Sequence, residues 1–161
     1  MAELEPALAQ RIADWRGAGL CIVFTNGVFD LLHPGHLAQL EAAKAEGEAL
    51  IVGLNSDISV KLLGKGAGRP VLDQAARRAL LEALRCVDAV ALFDEPTPLK
   101  LIELVQPDVL VKGEDYSNRE VVGREIVEAR GGRVVLVPLV EGYSTSAIIS
   151  RIRKLNVGEN P

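Results

Sequence analysis

The sequence predicts an α/β domain: a single parallel sheet of about five strands with helices on both faces. Three observations carry this. Short apolar runs, CIVFT, ALIVGL, AVALF, VLV and VVLV, recur along the chain. The runs are continuously apolar, as strands covered on both faces are. Segments with helical spacing separate them, and strands alternating with helices make βαβ units with right-handed crossovers.

Each element has its own signal. Leu8, Ile12 and Trp15 fall on one side of a helix from about Leu4 to Ala18, ended by Gly17 and Gly19. The first strand is Cys21–Thr25, broken by Asn26 and Gly27. Pro34 suits the first turn of a helix that carries Leu37, Leu40 and Lys44 and stops at Gly47. Ala49–Leu54 is the second strand, and Asn55-Ser56-Asp57 caps a short helix. Leu63 to Pro70 is a Gly-rich, basic loop. Asp73 caps a helix to about Arg85 with Leu80, Leu81 and Leu84 inward. Ala89–Phe93 is the third strand, and Pro98 opens a helix ending near Val105. Val109–Val111 is the fourth strand, a helix from Arg119 to about Ala129 follows, and Val134–Val137 is the fifth. A last helix begins around Ser144 and carries Ile148, Ile149 and Ile152. Residues 1–20 read as an N-terminal helical extension and 21–157 as the main domain.

Composition narrows the function. The 161 residues are enough for one domain, and 48% hydrophobic residues can fill its core. Aromatic residues make up only 4%, which argues against stacking platforms for sugars or single strands. A net charge of −4 argues against nucleic-acid binding but leaves room for a small anionic substrate. Cys21 and Cys86 stand alone, with no C-x-x-C, and read as buried thiols of a reducing cytoplasm. No apolar run approaches the roughly 20 residues of a membrane span, and the acidic N-terminus lacks a signal-peptide layout.

In parallel sheets ligands bind outside the carboxyl ends of the strands. After the first strand comes Asn26-Gly27-Val28-Phe29-Asp30-Leu31-Leu32-His33-Pro34-Gly35-His36, which contains the chain's only two histidines. Gly27 permits a tight turn and close approach to a ligand. Gly35 leaves room for a phosphate at a helix N-terminus, where free amides favour an anion. His33 and His36 then donate to phosphoryl oxygens. Two metal ligands are the rival reading of the pair, but a zinc site wants at least three protein ligands.

This spacing, G-x-F-D-x-x-H-x-G-H, resembles the motif of the cytidylyltransferase-like nucleotidyltransferase superfamily, Rossmann-like enzymes that join a nucleoside triphosphate to a phosphate monoester and release pyrophosphate. The resemblance implies that His33 and His36 stabilise charge on the α-phosphate, that Asp30 holds the turn, and that Thr25, Asn26, Gly27, Val28 and Phe29 line the nucleotide, with Gly35 beside it. Asn55 and Asp57, after the second strand, match an element near the acceptor. Ser56 or Asp57 serves equally as a helix cap. Lys61, Lys65 and Arg69 lie in and beside the basic loop, where related enzymes carry catalytic lysines. Lys61 and Lys65 are not separated at this point, and Arg69 is assigned to the acceptor. Arg85 falls in a segment resembling R-Y-V-D, with Cys86 in place of Tyr. Lys112, Gly113 and Asp115 match an element contacting base and ribose. Ser144, Thr145 and Ser146 match a phosphate cradle opening the last helix.

Within the superfamily the motifs run as in the adenylyltransferase half of ADP-heptose synthases. The resemblance implies transfer of AMP from ATP, with Mg2+ bound through the triphosphate rather than by protein side chains, to D-glycero-D-manno-heptose 1-phosphate. Two alternatives stand beside it. One is a CTP-dependent glycerol 3-phosphate or other alcohol-phosphate cytidylyltransferase, the other a non-catalytic nucleotide-binding module. The expected enzyme is a cytoplasmic homodimer without nucleic-acid or membrane partners. About 20 residues precede the first strand, too few for a sugar kinase domain, so a separate kinase and phosphatase are expected.

Overall fold

A computed structural model describes residues 4–116 and 120–157. Five strands form one parallel sheet: β1 (Ile22–Gly27), β2 (Ala49–Asn55), β3 (Ala89–Phe93), β4 (Val109–Gly113) and β5 (Arg133–Val137). Their order is β3-β2-β1-β4-β5. The chain therefore steps outward from β1 to β3, returns to β4 on the other side, and leaves a topological switch between β1 and β4. Seven α-helices connect and flank the strands among the described residues: α1 (Pro6–Gly17), α2 (Pro34–Lys44), α3 (Asp57–Leu62), α4 (Gln74–Glu82), α5 (Leu99–Val105), α6 (Arg124–Ala129) and α7 (Thr145–Val157).

Successive strand residues feed opposite faces, and both faces are covered. Ile22, Phe24, Ile51 and Leu110 pack with α1, α5 and α6 through Leu8, Ile12, Ile102 and Val127. Val23, Leu50, Val52 and Val111 pack with α2 and α4 through Leu40, Ala43 and Leu81. This is why the central stretches of the strands are continuously apolar, with polar residues such as Asn26, Asn55 and Lys112 at their carboxyl ends. Trp15 lies against the first of these clusters.

Polar side chains set the helix starts. Ser56 accepts from the Ser59 amide at 3.1 Å and Asp73 from the Ala76 amide at 2.8 Å, as predicted for N-caps. Three expectations need correction. α2 ends at Lys44, before Gly47. Leu80 is exposed on α4, while Leu81 is fully buried. The helix expected from Arg119 begins at Arg124, because Gly123, at φ +89°, ends the preceding turn in a left-handed conformation; Arg119 itself lies outside the described residues.

At the switch the paired register of β1 and β4 covers Val23–Val109 and Phe24–Leu110. One residue on, the Thr25 hydroxyl donates to the Val111 carbonyl at 3.0 Å. Beyond that clasp lies the crevice in which a doubly wound sheet holds its ligand.

Candidate active site

The histidine turn is built by backbone strain and a buried carboxylate. Phe29 and Leu31 adopt φ of +48° and +51°, a region that side-chain-bearing residues seldom enter. Asp30, between them, is buried. It accepts from the Val71 amide at 2.8 Å, the Leu72 amide at 3.0 Å and Arg69 Nε at 2.9 Å. Burial alone would raise the Asp30 pKa, but these donors outweigh it and hold it below the usual value. The Thr145 hydroxyl donates to the Asp30 carbonyl at 2.7 Å, which brings the start of α7 to the same turn.

His33 is the N-cap of α2, and its Nδ1 accepts from the His36 amide at 3.3 Å. The two imidazoles stack, with ring centroids 3.7 Å apart and an interplanar angle of 18°. Phe29 meets His36 edge-on at 5.3 Å. Gly35 permits the stack: a Cβ there would lie 2.9 Å from His33 Cε1. Burial lowers the pKa of His33, and it pulls that of His36 down to about 4, helped by His33 and Lys65 and opposed by Asp30. Both rings are therefore neutral at pH 7. His36 Nδ1 is buried with no hydrogen-bond partner among the described residues.

These rings open on a cavity of about 600 Å³, also lined by Asn26, Gly35, Lys65, Lys112, Gly113, Asp115, Ser144 and Thr145. Lys112 is only 5% exposed and donates to Asn26 Oδ1. Burial lowers its pKa to about 8 against the opposing pull of Asp115. An adjoining cavity of about 370 Å³ shares His36, Lys65, Ser144 and Thr145 and adds Val28, Phe29, Asp30, Arg69 and Ser146. Ser144 caps α7 by accepting from the Ala147 amide at 3.0 Å. The arrangement sets neutral N–H donors, cations and free helix-start amides around one volume suited to phosphates.

Other expected site residues lie elsewhere. Thr25 is buried in its clasp with Val111, and Gly27 makes room for the Phe29 ring, 3.1 Å from where its Cβ would stand. Asn55 is buried and donates to Ser59 Oγ at 2.9 Å. Asp57 is ion-paired with Arg77 at 2.7 Å. Lys61 lies on α3 and lines neither cavity, whereas Lys65 lines both. Arg85 lines neither cavity. It sits exposed in the turn before β3, at the amino ends of the strands, and a strand of five residues separates that end from the site, on the order of 15 Å.

Sequence reasoning missed Gln39, Leu139, Val140, Glu141 and Tyr143, which also line the larger cavity. Tyr143 lies near-parallel to His33, with centroids 6.2 Å apart. Their signal was position, since residues 139–143 directly follow the carboxyl end of β5. It also missed Arg77, whose burial has no local signature.

The cytidylyltransferase-like family profile matches residues 24–151. The chain is 56% identical over 151 residues to "Bifunctional protein HldE" of Bradyrhizobium sp. (strain ORS 278), covering 94% of this chain and 31% of that protein. It is 53% identical over 151 residues to the protein of the same name from Nitrobacter hamburgensis, with the same coverage. The chain thus spans about a third of the length of these relatives. Among solved structures, a lipopolysaccharide core biosynthesis protein from Thermoplasma volcanium GSS1 is 30% identical, with a TM-score of 0.62, over 78% of this chain and 100% of that one.

Proposed function

The chain belongs to the cytidylyltransferase-like family, and on that premise we propose that it is a nucleotidyltransferase moving AMP from ATP to D-glycero-D-manno-heptose 1-phosphate, forming ADP-heptose and pyrophosphate. The observation that carries the proposal is the stacked His33–His36 pair at the start of α2, opening on a cavity that also holds Lys65 and Lys112. The choice of ATP and a heptose phosphate rests on the run of motifs resembling ADP-heptose synthases and is supported by the HldE relatives.

The acceptor's phosphate oxygen attacks the α-phosphorus in line, the bond to the bridging oxygen breaks, and pyrophosphate leaves. The acceptor is already ionised, so no protein nucleophile is needed. Catalysis is positioning plus stabilisation of charge on the phosphoryl oxygens. His33 and His36, neutral at pH 7, act as hydrogen-bond donors, and Lys65 and Lys112 supply positive charge. Lys112, Asp115 and Asn26 take the nucleoside side. Arg69 and Ser146 line the adjoining cavity, where the acceptor phosphate is placed.

Mg2+ is proposed to enter with ATP. Among the described residues no group of three or more His, Cys, Asp or Glu could hold an ion, and Mg2+ is commonly carried by substrate phosphates with one or two carboxylates. A cytoplasmic homodimer belongs to the same proposal, as does the division into residues 1–20 and 21–157. None of the described helices is long and apolar enough to cross a membrane.

The test is pyrophosphate release with ATP or CTP against heptose 1-phosphate, glycerol 3-phosphate and no acceptor. Release with ATP and heptose 1-phosphate is expected. Release only with CTP and glycerol 3-phosphate identifies a cytidylyltransferase. Nucleotide binding without release under any condition identifies a binding module.

A further inference from the structure

Arg77, on α4, is the largest side chain fully withdrawn from solvent among the described residues. Its guanidinium reaches four acceptors from four parts of the chain. Nε donates to the Leu72 carbonyl at 3.0 Å, and Nη1 donates to the Val28 carbonyl at 2.7 Å and the Asn55 carbonyl at 2.8 Å. Nη2 donates to Asp57 Oδ1 at 2.7 Å. Val28 begins the histidine turn, Asn55 ends β2, Asp57 starts α3, and Leu72 closes the loop that carries Lys65 and Arg69.

The Leu72 residue is gripped twice. Its amide donates to Asp30, and its carbonyl accepts from Arg77. The Val28 carbonyl adjoins Phe29, the first of the two left-handed residues, so the same guanidinium holds a strained turn and the end of the basic loop. Stability alone does not call for an arginine here. Burying an ion pair costs desolvation, and apolar residues of similar volume often serve a core as well or better. A planar fork that bonds several fixed carbonyls at once is what only arginine supplies.

We propose that Arg77 is a positioning residue that sets the Lys65–Arg69 loop against the histidine turn. It touches no substrate, since it lines neither cavity, and acts through Leu72, Val28 and Asp57. The proposal rests on the transferase reading for its catalytic consequence, but its structural consequence can be read independently.

The test uses full-length Arg77→Lys and Arg77→Gln, so that one poorly folding variant does not decide it alone. Hydrogen exchange is followed at residues 69–73 and at β4, which Arg77 does not touch. The expected result is exchange at least about tenfold faster at 69–73, with β4 at the parent rate. In pyrophosphate release, kcat is expected to fall by about tenfold or more with KM for ATP unchanged. Adding Lys65→Ala to Arg77→Lys should then cost less than in the parent, because the two act as one unit. Equal rises in exchange at both segments, an unchanged kcat, full additivity with Lys65→Ala, or failure of both variants to fold would each overturn the proposal. A parent protein inactive with every acceptor defeats the transferase reading instead, and the exchange comparison still decides whether Arg77 holds the loop.

Discussion

His36 keeps Nδ1 buried and without a partner among the described residues, and burial holds its ring neutral well below pH 7. A neutral imidazole stacked on a second one has no cation to contribute; its use at a phosphate is a directed N–H. Removing one such donor typically costs about 3 kcal/mol of barrier. His33→Ala and His36→Ala should therefore each lower kcat about a hundredfold, read by pyrophosphate release. Gly35→Ala leaves both histidines present but places a methyl 2.9 Å from the His33 ring. It should lower kcat on the order of tenfold or more through misplacement, with the far-UV circular dichroism of the parent. Lys112 gives the pH dependence. Its pKa is pushed down to about 8, so its charge is present at pH 7 and lost as pH rises through 8. KM for ATP should rise between pH 7 and 9. In Lys112→Gln it should be raised throughout and lack that inflection.

At the scale of elements, the basic loop separates two lysines that sequence alone leaves equivalent. Lys65→Ala should impair turnover, and Lys61→Ala, on an exposed turn of α3, should leave it unchanged in the same assay. The strands and most helices were legible because each is short, apolar on both faces or capped by a side chain such as Ser56 or Asp73. The start of α6 was not, because Val121 and Val122 carry on an apolar pattern that Gly123 then interrupts with a left-handed residue. Arg77 was illegible for a different reason. On α4 it sits beside Arg78, which pairs with Glu5 and Glu82 at the surface, and nothing local distinguishes the buried arginine from the exposed one. By rule, ligands of parallel sheets bind at the carboxyl ends of the strands, and Arg85, which precedes β3, lies at the other end. His33, His36, Lys112 and Thr145 follow that rule, and they reach the cavity.

For the whole molecule, the strand order accounts for the site. Reversal between β1 and β4 opens a crevice there, and the ends of β1, β4 and β5 with the starts of α2 and α7 surround it. A chain of net charge −4 can still take two anions, because the proposed phosphate-binding cations, Lys65, Arg69 and Lys112, gather at that one end. The reaction proposed for this end is transfer of AMP from ATP to a sugar phosphate. Incubating the protein with ATP radiolabelled at the α-phosphate, Mg2+ and heptose 1-phosphate, and following the label, tests it without intermediary. The label is expected to pass into ADP-heptose while one unlabelled pyrophosphate is released per product. Label that stays in ATP while the protein binds the nucleotide would contradict it.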